Sequence, residues 1–333
     1  MKRRQFLSSS ARSALTFRFL GWVSLTIVPP GCRAYARAQN LEAFRHRLLQ
    51  KPQPAAWSDD EITIAWVGHA SFLINFYGTT ILTDPVFSRH IGVSLMHRAN
   101  VGPKRLISPA LKLSELPALD LILVSHAHMD HYDLPTLHRL KKRKRETPLV
   151  LARETSDLAN KLGFQSVEEL DWSQSLEVDG ITIEAVEVKH WGRRHPWDQN
   201  NRGYNGYLLS KNGRTLLFGG DTAYTETFEE IAQDRQIDVA MLPIGAYNPY
   251  IRNHASPEQT WEMFKGMRAT YLIPMHWGTF ILSQEPVFEP ITRLRSVAGR
   301  ETERVVIQEI GQTWTLPEGA NHDPHLLPPG GGG

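Results

Sequence analysis

Cysteine is nearly absent: Cys32 is the single one among 333 residues. Just after it, Ala34, Tyr35 and Ala36 form the small-x-small triplet of a signal-cleavage site. Cleavage after Ala36 leaves no cysteine, which excludes disulfides, a cysteine nucleophile and a thiolate zinc site. Any metal must then be held by histidine and carboxylate. Long apolar runs are missing too. The stretch "FLGWVSLTIV", Phe19 to Val28, is about ten residues, far short of the roughly twenty that a membrane-spanning helix needs. No internal repeat is visible, so a solenoid or propeller is not expected. Nor does one sign of charge dominate: the formal net charge is +2, too mild to point to a nucleic-acid partner.

What is present begins with "MKRRQFL", where Arg3 and Arg4 precede Phe6 and Leu7 and, further on, the short apolar stretch. Residues 1–36 therefore read as an export signal that resembles the twin-arginine type, although Lys2 and Ser8 stand where that type prefers serine and lysine. A competing reading is lipidation at Cys32 in "PPGC", disfavoured because prolines occupy places that a lipoprotein box gives to aliphatic residues. The expected location is exported, periplasmic or membrane-associated in a bacterium. Residues 37–60 read as a short amphipathic helix from Asn40 to Gln50 and a proline-containing linker. Residues 61–316 read as the folded catalytic domain, and 317–333 as a disordered Pro/Gly tail.

With 41% hydrophobic residues the chain can bury a large core. Short β-branched runs recur from "ITIAWVGHASFLINFYGTTILTDP" through "LDLILVS", "TPLVLA", "ITIEAVEV", "YNGYLLS", "RTLLFGG", "IDVAMLPIG" and "ATYLIPMH" to "TERVVIQEI". Helical spacing appears in "LPTLHRLKKRKRE", "ETSDLANKLG" and "SPEQTWEMFKGM". So many strands among few helices predict an α+β arrangement of two sheets covered by helices, rather than a doubly wound parallel sheet.

Directly after the strand "LDLILVS" comes "HAHMDHYD", His126 to Asp133. His126 and His128 lie two apart, so in extended backbone they project to the same side. Asp130 and His131 follow at a spacing suited to a turn entering a helix, and Asp133 is placed at that helix start or in support of the ligands. Other metal-type side chains stand at the ends of separate strands: His190, Asp221 and His276. A lone histidine there is ordinarily just hydrogen bonded. The set, delivered from four strand ends, points to a metal centre, and two ions are easier to accommodate than one.

"HAHMDHYD" resembles the H-x-H-x-D-H signature of the metallo-β-lactamase superfamily, and His190, Asp221 and His276 fall in order at its remaining ligand positions. The resemblance spans Ile62 to Leu316 and implies a four-layer αββα sandwich with a dinuclear metal centre at one edge. "WVGHASFLI", "LTDPVFS", "KHWGRR", "FGGDTAY", "LPIGAYNPY", "HASPEQ" and "MHWGTF" bring the sequence closer to the N-acylphosphatidylethanolamine-hydrolysing phospholipase D branch. It departs from that branch at Gly192, where the vertebrate pattern has cysteine, and across "RRHPWDQNNRGYN".

That likeness implies a zinc phosphodiesterase releasing N-acylethanolamine and phosphatidic acid, with a lactonase or small-molecule phosphodiesterase of the same fold as the alternative. It implies His126, His128 and His190 on one zinc, Asp130, His131 and His276 on a second, and Asp221 bridging, with Asp130 also catalytic beside the nucleophile and other divalent transition metals as alternatives. His254 is the expected phosphate contact or leaving-group acid, or else merely a residue preceding a helix capped by Ser256. His69 and Asp84 are expected to support the ligands. Trp191 and Trp277 wall a groove for acyl chains, stack on the ligands or, on the favoured reading, pack in the core. The run Lys141 to Arg145 either meets a membrane surface or, as preferred, is a solvated helix face. Expected partners are a phospholipid or other phosphodiester substrate and a peripheral membrane contact, with no nucleic acid and a homodimer among the options.

Overall fold

The computed structural model describes residues 50–144, 146–198 and 201–319. The expected export signal, the body of the Asn40–Gln50 helix and all but the first residues of the tail lie outside these. The chain enters the fold through β1 (Ile62–Gly68), β2 (Ser71–Phe76) and β3 (Thr79–Thr83), then makes a small hairpin of β4 (Val93–Leu95) and β5 (Ala99–Val101). Next come β6 (Leu121–Val124), α1 (Leu134–Arg143), β7 (Leu149–Ala152), α2 (Ser156–Asn160) and β8 (Val167–Leu170). A meander follows: β9 (Ser175–Val178), β10 (Ile181–Val186), β11 (Gly206–Lys211) and β12 (Arg214–Phe218). The remainder is α3 (Thr227–Ile231), β13 (Val239–Pro243), α4 (Pro257–Gly266), β14 (Tyr271–Met275), α5 (Glu289–Ala298) and β15 (Thr313–Thr315).

Two sheets result, one in the order β15-β1-β2-β3-β6-β7-β8 and the other β14-β13-β12-β11-β10-β9. Strand alternation sends side chains to two different cores. From β2, Phe72 and Ile74 enter the core between the sheets while Leu73 enters a second core. From β6, Leu121 and Leu123 go to the first and Ile122 and Val124 to the second. That second core is closed by Leu137 and Leu140 of α1 and Leu158 of α2. On the far side of the other sheet, Trp261 and Phe264 of α4 and Ile291 and Leu294 of α5 complete the burial. The architecture is the expected αββα sandwich. With both faces covered, β1, β2, β6 and β13 are buried at every residue, which is why they read as unbroken apolar runs.

Direction matters most for function. β1 runs antiparallel to β2 and β2 to β3, so β1 and β3 point the same way, and β6 is parallel to β3. In the other sheet β10 and β12 both oppose β11, and β13 and β14 are parallel to β12. The C-terminal ends of β1, β3 and β6 thus share one edge of the first sheet, and those of β10, β12 and β14 one edge of the second.

Two segments read from the sequence as regular elements fall short of expectation. "TERVVIQEI" forms no strand: a 3-10 turn ends at Arg304, and Val305 makes only an isolated bridge to Leu272. This segment carries the chain from one sheet towards β15 in the other, so a long ladder cannot form. Its main chain is satisfied piecemeal: the Val306 amide donates to the Leu272 carbonyl at 3.1 Å, while the Gln308 and Gln312 side chains donate to the Val305 and Val306 carbonyls at 2.6 and 3.0 Å. The helix expected over "ETSDLANKLG" shrinks to α2, five residues long.

Candidate metal centre

Each polar residue singled out at a strand end lies just past the C-terminus of one of these co-directed strands. His69 follows β1, Asp84 follows β3, His126 follows β6, His190 follows β10, Asp221 follows β12 and His276 follows β14. A parallel-strand edge is where loops collect side chains from different elements. Their backbones are held in unusual shapes to do so: His69, Asp84 and His276 have φ of 58°, 30° and 64°. These left-handed conformations are tied down by hydrogen bonds from the His69 amide to Thr279 Oγ1 at 2.8 Å, from Asp84 to the Leu123 carbonyl at 2.8 Å, and from His276 to the His69 carbonyl at 3.2 Å.

Beyond β6 the chain turns at once, with the amides of His131 and Tyr132 both donating to the His128 carbonyl, and α1 begins with Pro135 in its first turn. The turn separates the motif into two groups. His126, His128, His190 and Asp221 offer donor atoms all within 4.8 Å of one another, and so do His69, Asp130, His131 and His276. In the first group Nε2 of His126 and Nε2 of His190 lie 2.9 and 3.1 Å from Nδ1 of His128. Between the groups stands one carboxylate oxygen: Asp221 Oδ2 is 3.0 Å from His131 Nε2, 3.1 Å from His276 Nε2, and 3.8 Å from Nε2 of both His126 and His190.

Supporting groups orient the rings. Asp84 accepts from His131 Nδ1 at 2.6 Å and from the Ser125 amide and hydroxyl at 2.7 and 2.6 Å, which turns His131 Nε2 toward Asp221. His190 donates through Nδ1 to the Asn253 carbonyl at 2.9 Å, leaving Nε2 as a lone pair facing inward. His69, expected to support the ligands, is 3.1 Å from Asp130 Oδ2 through Nε2, so it both positions Asp130 and sits inside the second donor group.

Burial first, and neighbouring imidazoles next, push His126 well below its ordinary pKa. Burial and His190 push His128 down to about 3. His190 falls to about 4, again through burial, with Asp221 opposing. These rings are neutral, the form that binds metal. Around Asp130 and Asp221 the balance reverses. Burial opposes charge on His276, but Asp221 and Asp130 outweigh it and raise His276 to about 9, and His131 is raised well above its usual value by Asp221, Asp130 and Asp84. The second group is thus a place that draws in positive charge.

Among the described residues His128 Nε2 and Asp221 Oδ1 find no hydrogen-bond partner, and His131 Nε2 and His276 Nε2 have only their ion-pair approach to the carboxylates. Unpaired polar atoms at this depth are costly. Imidazole nitrogens converging on each other, beside carboxylates that attract charge, fit divalent cations and fit little else.

Above the donors is an open cleft of about 260 Å³ lined by His128, Asp130, Trp191, Arg193, Tyr250 and His254 among others. His254 Nδ1 lies 3.8 Å from Asp221 Oδ2. Its helix-start alternative does not hold it back, because Ser256 performs the capping of α4, with Pro257 in the first turn. The two tryptophans of the repeated "HWG" part company: Trp277 is buried 5.4 Å from Trp66, whereas Trp191 meets the His128 ring edge-on at 4.5 Å and reaches the cleft. For Trp191 the favoured core reading is therefore corrected: it follows a ligand on an exposed loop and stays 38% exposed. Asp133 stands at the start of α1 but does not cap it, and instead accepts from Ser88 and Asn100. In the basic run Lys142, Arg143 and Lys144 are exposed and Arg143 also ties down the Leu116 carbonyl at 2.7 Å.

Some contributors escaped sequence reasoning. Asn253 acts through its carbonyl, which carries no side-chain signal. Gly220 is required because a Cβ there would come within 2.9 Å of that of Ser125, so only glycine lets the end of β12 bring Asp221 beside His126. Gly192 likewise faces the Arg202 carbonyl, 1.9 Å from where a Cβ would be, which accounts for the absence of a side chain at the position that departs from the phospholipase branch. Arg193, beside a ligand in "HWGRR", had a signal that could have found it.

Residues 79–277 match the beta-lactamase superfamily domain. An uncharacterized protein of Mycobacterium tuberculosis is 34% identical over 272 residues, 79% of this chain and 71% of the relative. N-acyl-phosphatidylethanolamine-hydrolyzing phospholipase D 1 of Caenorhabditis elegans is 30% identical over 277 residues, 77% of this chain and 76% of the relative. Among solved structures, a metallo hydrolase from the archaeon Ignicoccus hospitalis superposes with a TM-score of 0.57 at 21% identity, covering 77% of this chain and 98% of that one. The chain belongs to the metallo-β-lactamase superfamily. It is a metal-dependent hydrolase of that superfamily, similar over three quarters of its length to the nematode phospholipase D.

Proposed function

We propose that the protein is a dizinc phosphodiesterase that hydrolyses N-acylphosphatidylethanolamine-type phospholipids to N-acylethanolamine and phosphatidic acid. The observation that carries this reading is the pair of donor groups meeting at Asp221 Oδ2 beneath a cleft with a cationic and aromatic wall. The named activity of the nematode relative supports the choice of substrate.

His126, His128 and His190 would hold one ion, Asp130, His131 and His276 the other, with Asp221 shared. Bound divalent ions supply Lewis acidity, favouring deprotonation of water and drawing charge from phosphoryl oxygen. The chain's own residues do the rest. Asp84 and Asn253 fix the ring orientation of His131 and His190, and His69 fixes Asp130. His254 is held well below its usual pKa, by burial first, so it enters the reaction neutral and donates a hydrogen bond to a phosphoryl oxygen. That makes it a phosphate contact in this proposal. Water oxygen joins phosphorus, the bond from phosphorus to the ethanolamide oxygen breaks, and that oxygen leaves with a proton.

Zinc-loaded protein is to be offered N-acylphosphatidylethanolamine in detergent, phosphatidylcholine and a sugar lactone. Release of N-acylethanolamine with phosphatidic acid is expected from the first. Lactone turnover without that release overturns the proposal.

A further inference from the structure

Among the described residues seven large apolar side chains are exposed, and six of them stand on three segments that rim the cleft. Leu95, Met96 and Val101 belong to the β4–β5 hairpin, which springs from the cleft residues Ile91 and Gly92. Trp197 follows the cleft residues Trp191 and Arg193, and Ile251 follows Tyr250. Met96 is 80% exposed and Trp197 69%, the two largest values among them. At the hairpin tip Met96 and His97 both have positive φ, 47° and 55°, a conformation that turns usually assign to glycine or asparagine. A bulky apolar residue is thus kept at the outermost point despite local strain.

Charge on the same rim has one sign. No Asp or Glu occurs from Arg89 to Arg105, from Trp191 to Trp197 or from Ala246 to His254, whereas Arg89, Arg98, Lys104, Arg193 and Arg252 are exposed. Asn100 of the hairpin donates to Asp133 at the start of α1 at 2.6 Å, so the hairpin lies against that helix, and burial, then Lys142, Lys141, His97 and Arg98 lower the pKa of His138 on it.

We propose that this rim docks on an anionic phospholipid bilayer, with Met96, Leu95, Trp197 and Ile251 entering the interfacial layer and the surrounding cations meeting headgroup phosphates. Apolar residues spaced on separate loops among cations suit a lipid interface, whereas a protein partner calls for a continuous apolar patch. The inference deepens the phospholipid reading and rests on it for its purpose, because docking would turn the cleft toward its substrate. It also places the membrane contact beside the run that starts at Lys141 rather than on it, and the preferred reading of that run as a solvated helix face agrees with the exposure of Lys142, Arg143 and Lys144.

The test uses the zinc-loaded chain from Arg37 onward, which carries every described residue, and vesicles free of N-acylated lipid, so binding is read apart from turnover. Flotation with phosphatidylcholine–phosphatidylglycerol vesicles is expected, falling with salt and absent on phosphatidylcholine alone. The pair Met96→Glu and Trp197→Glu is expected to weaken binding about tenfold or more, with turnover of soluble bis(p-nitrophenyl) phosphate unchanged, while Val297→Glu on α5 binds as the parent does. No binding to the anionic vesicles, undiminished binding by the double variant, or a change in the double variant confined to self-association overturns the proposal. Vesicle binding without cleavage of N-acylphosphatidylethanolamine would instead defeat the substrate assignment alone.

Discussion

Asp84 touches no substrate in the proposed reaction, yet its oxygens tie His131 to Ser125 and so join the first sheet to the centre of the site. Replacing it with asparagine removes the charge that steadies His131, and the expected outcome is zinc affinity about 10–100-fold weaker, measured by chelator competition. Asp130→Asn is expected to abolish turnover of bis(p-nitrophenyl) phosphate while leaving the far-ultraviolet circular dichroism intact. At Gly192 the constraint is steric: Gly192→Ala drives a methyl into the Arg202 carbonyl, and a loss of about 1–3 kcal/mol is expected in urea unfolding. At this scale the sequence was informative wherever chemistry lies in the side chain. His190, Asp221 and His276 stood out because each ends an apolar strand with a ligand-type group. Asn253 and Gly220 did not, because one acts through its carbonyl and the other by lacking a Cβ.

Elements were legible in proportion to their burial. β1, β2, β6 and β13 are enclosed on both faces and announce themselves as apolar runs, while β8 and β9, partly exposed, carry Glu168, Glu169 and Glu177 and gave no such sign. α5 was missed for a related reason, since its buried stripe is short, Pro290, Ile291, Leu294 and Ala298 alone, and charged or polar residues stand between them. Glu169 shows what such a polar strand is for. Burial works against its ionisation, but hydrogen bonds from Ser156, Glu154 and Thr155 outweigh it and lower its pKa, so the carboxylate closes the start of α2. A depressed folded-state pKa contributes stability above the unfolded carboxylate range and loses it as pH falls through the folded value. Glu169→Gln is therefore expected to be about 1 kcal/mol less stable near neutral pH. The difference should vanish in acid, when the parent carboxyl is protonated, and urea midpoints at both pH values measure it.

For the whole molecule, the αββα arrangement followed from strand number and the signature motif, whereas the shared direction of six strands, which brings the ligands to one place, could not be read without the sheet order. Because both sheets feed the same centre, bound metal should act as a clasp between them. At a thousandfold excess over its dissociation constant a ligand adds about 4 kcal/mol to stability, so chelation is expected to lower the calorimetric melting temperature, and restored zinc to raise it again. The proposed export of residues 1–36 is tested by fusing residues 1–40 to a folded reporter, which should reach the periplasm and be retained when Arg3 and Arg4 are both lysine.

In the proposed reaction water attacks phosphorus in the cleft above Asp221 and beside His254. Hydrolysis of N-acylphosphatidylethanolamine in oxygen-18 water, followed by mass spectrometry of both products, tests it most directly. The expected result is one labelled oxygen in phosphatidic acid and none in N-acylethanolamine. Label in the N-acylethanolamine, or turnover that yields no phosphatidic acid, would contradict it.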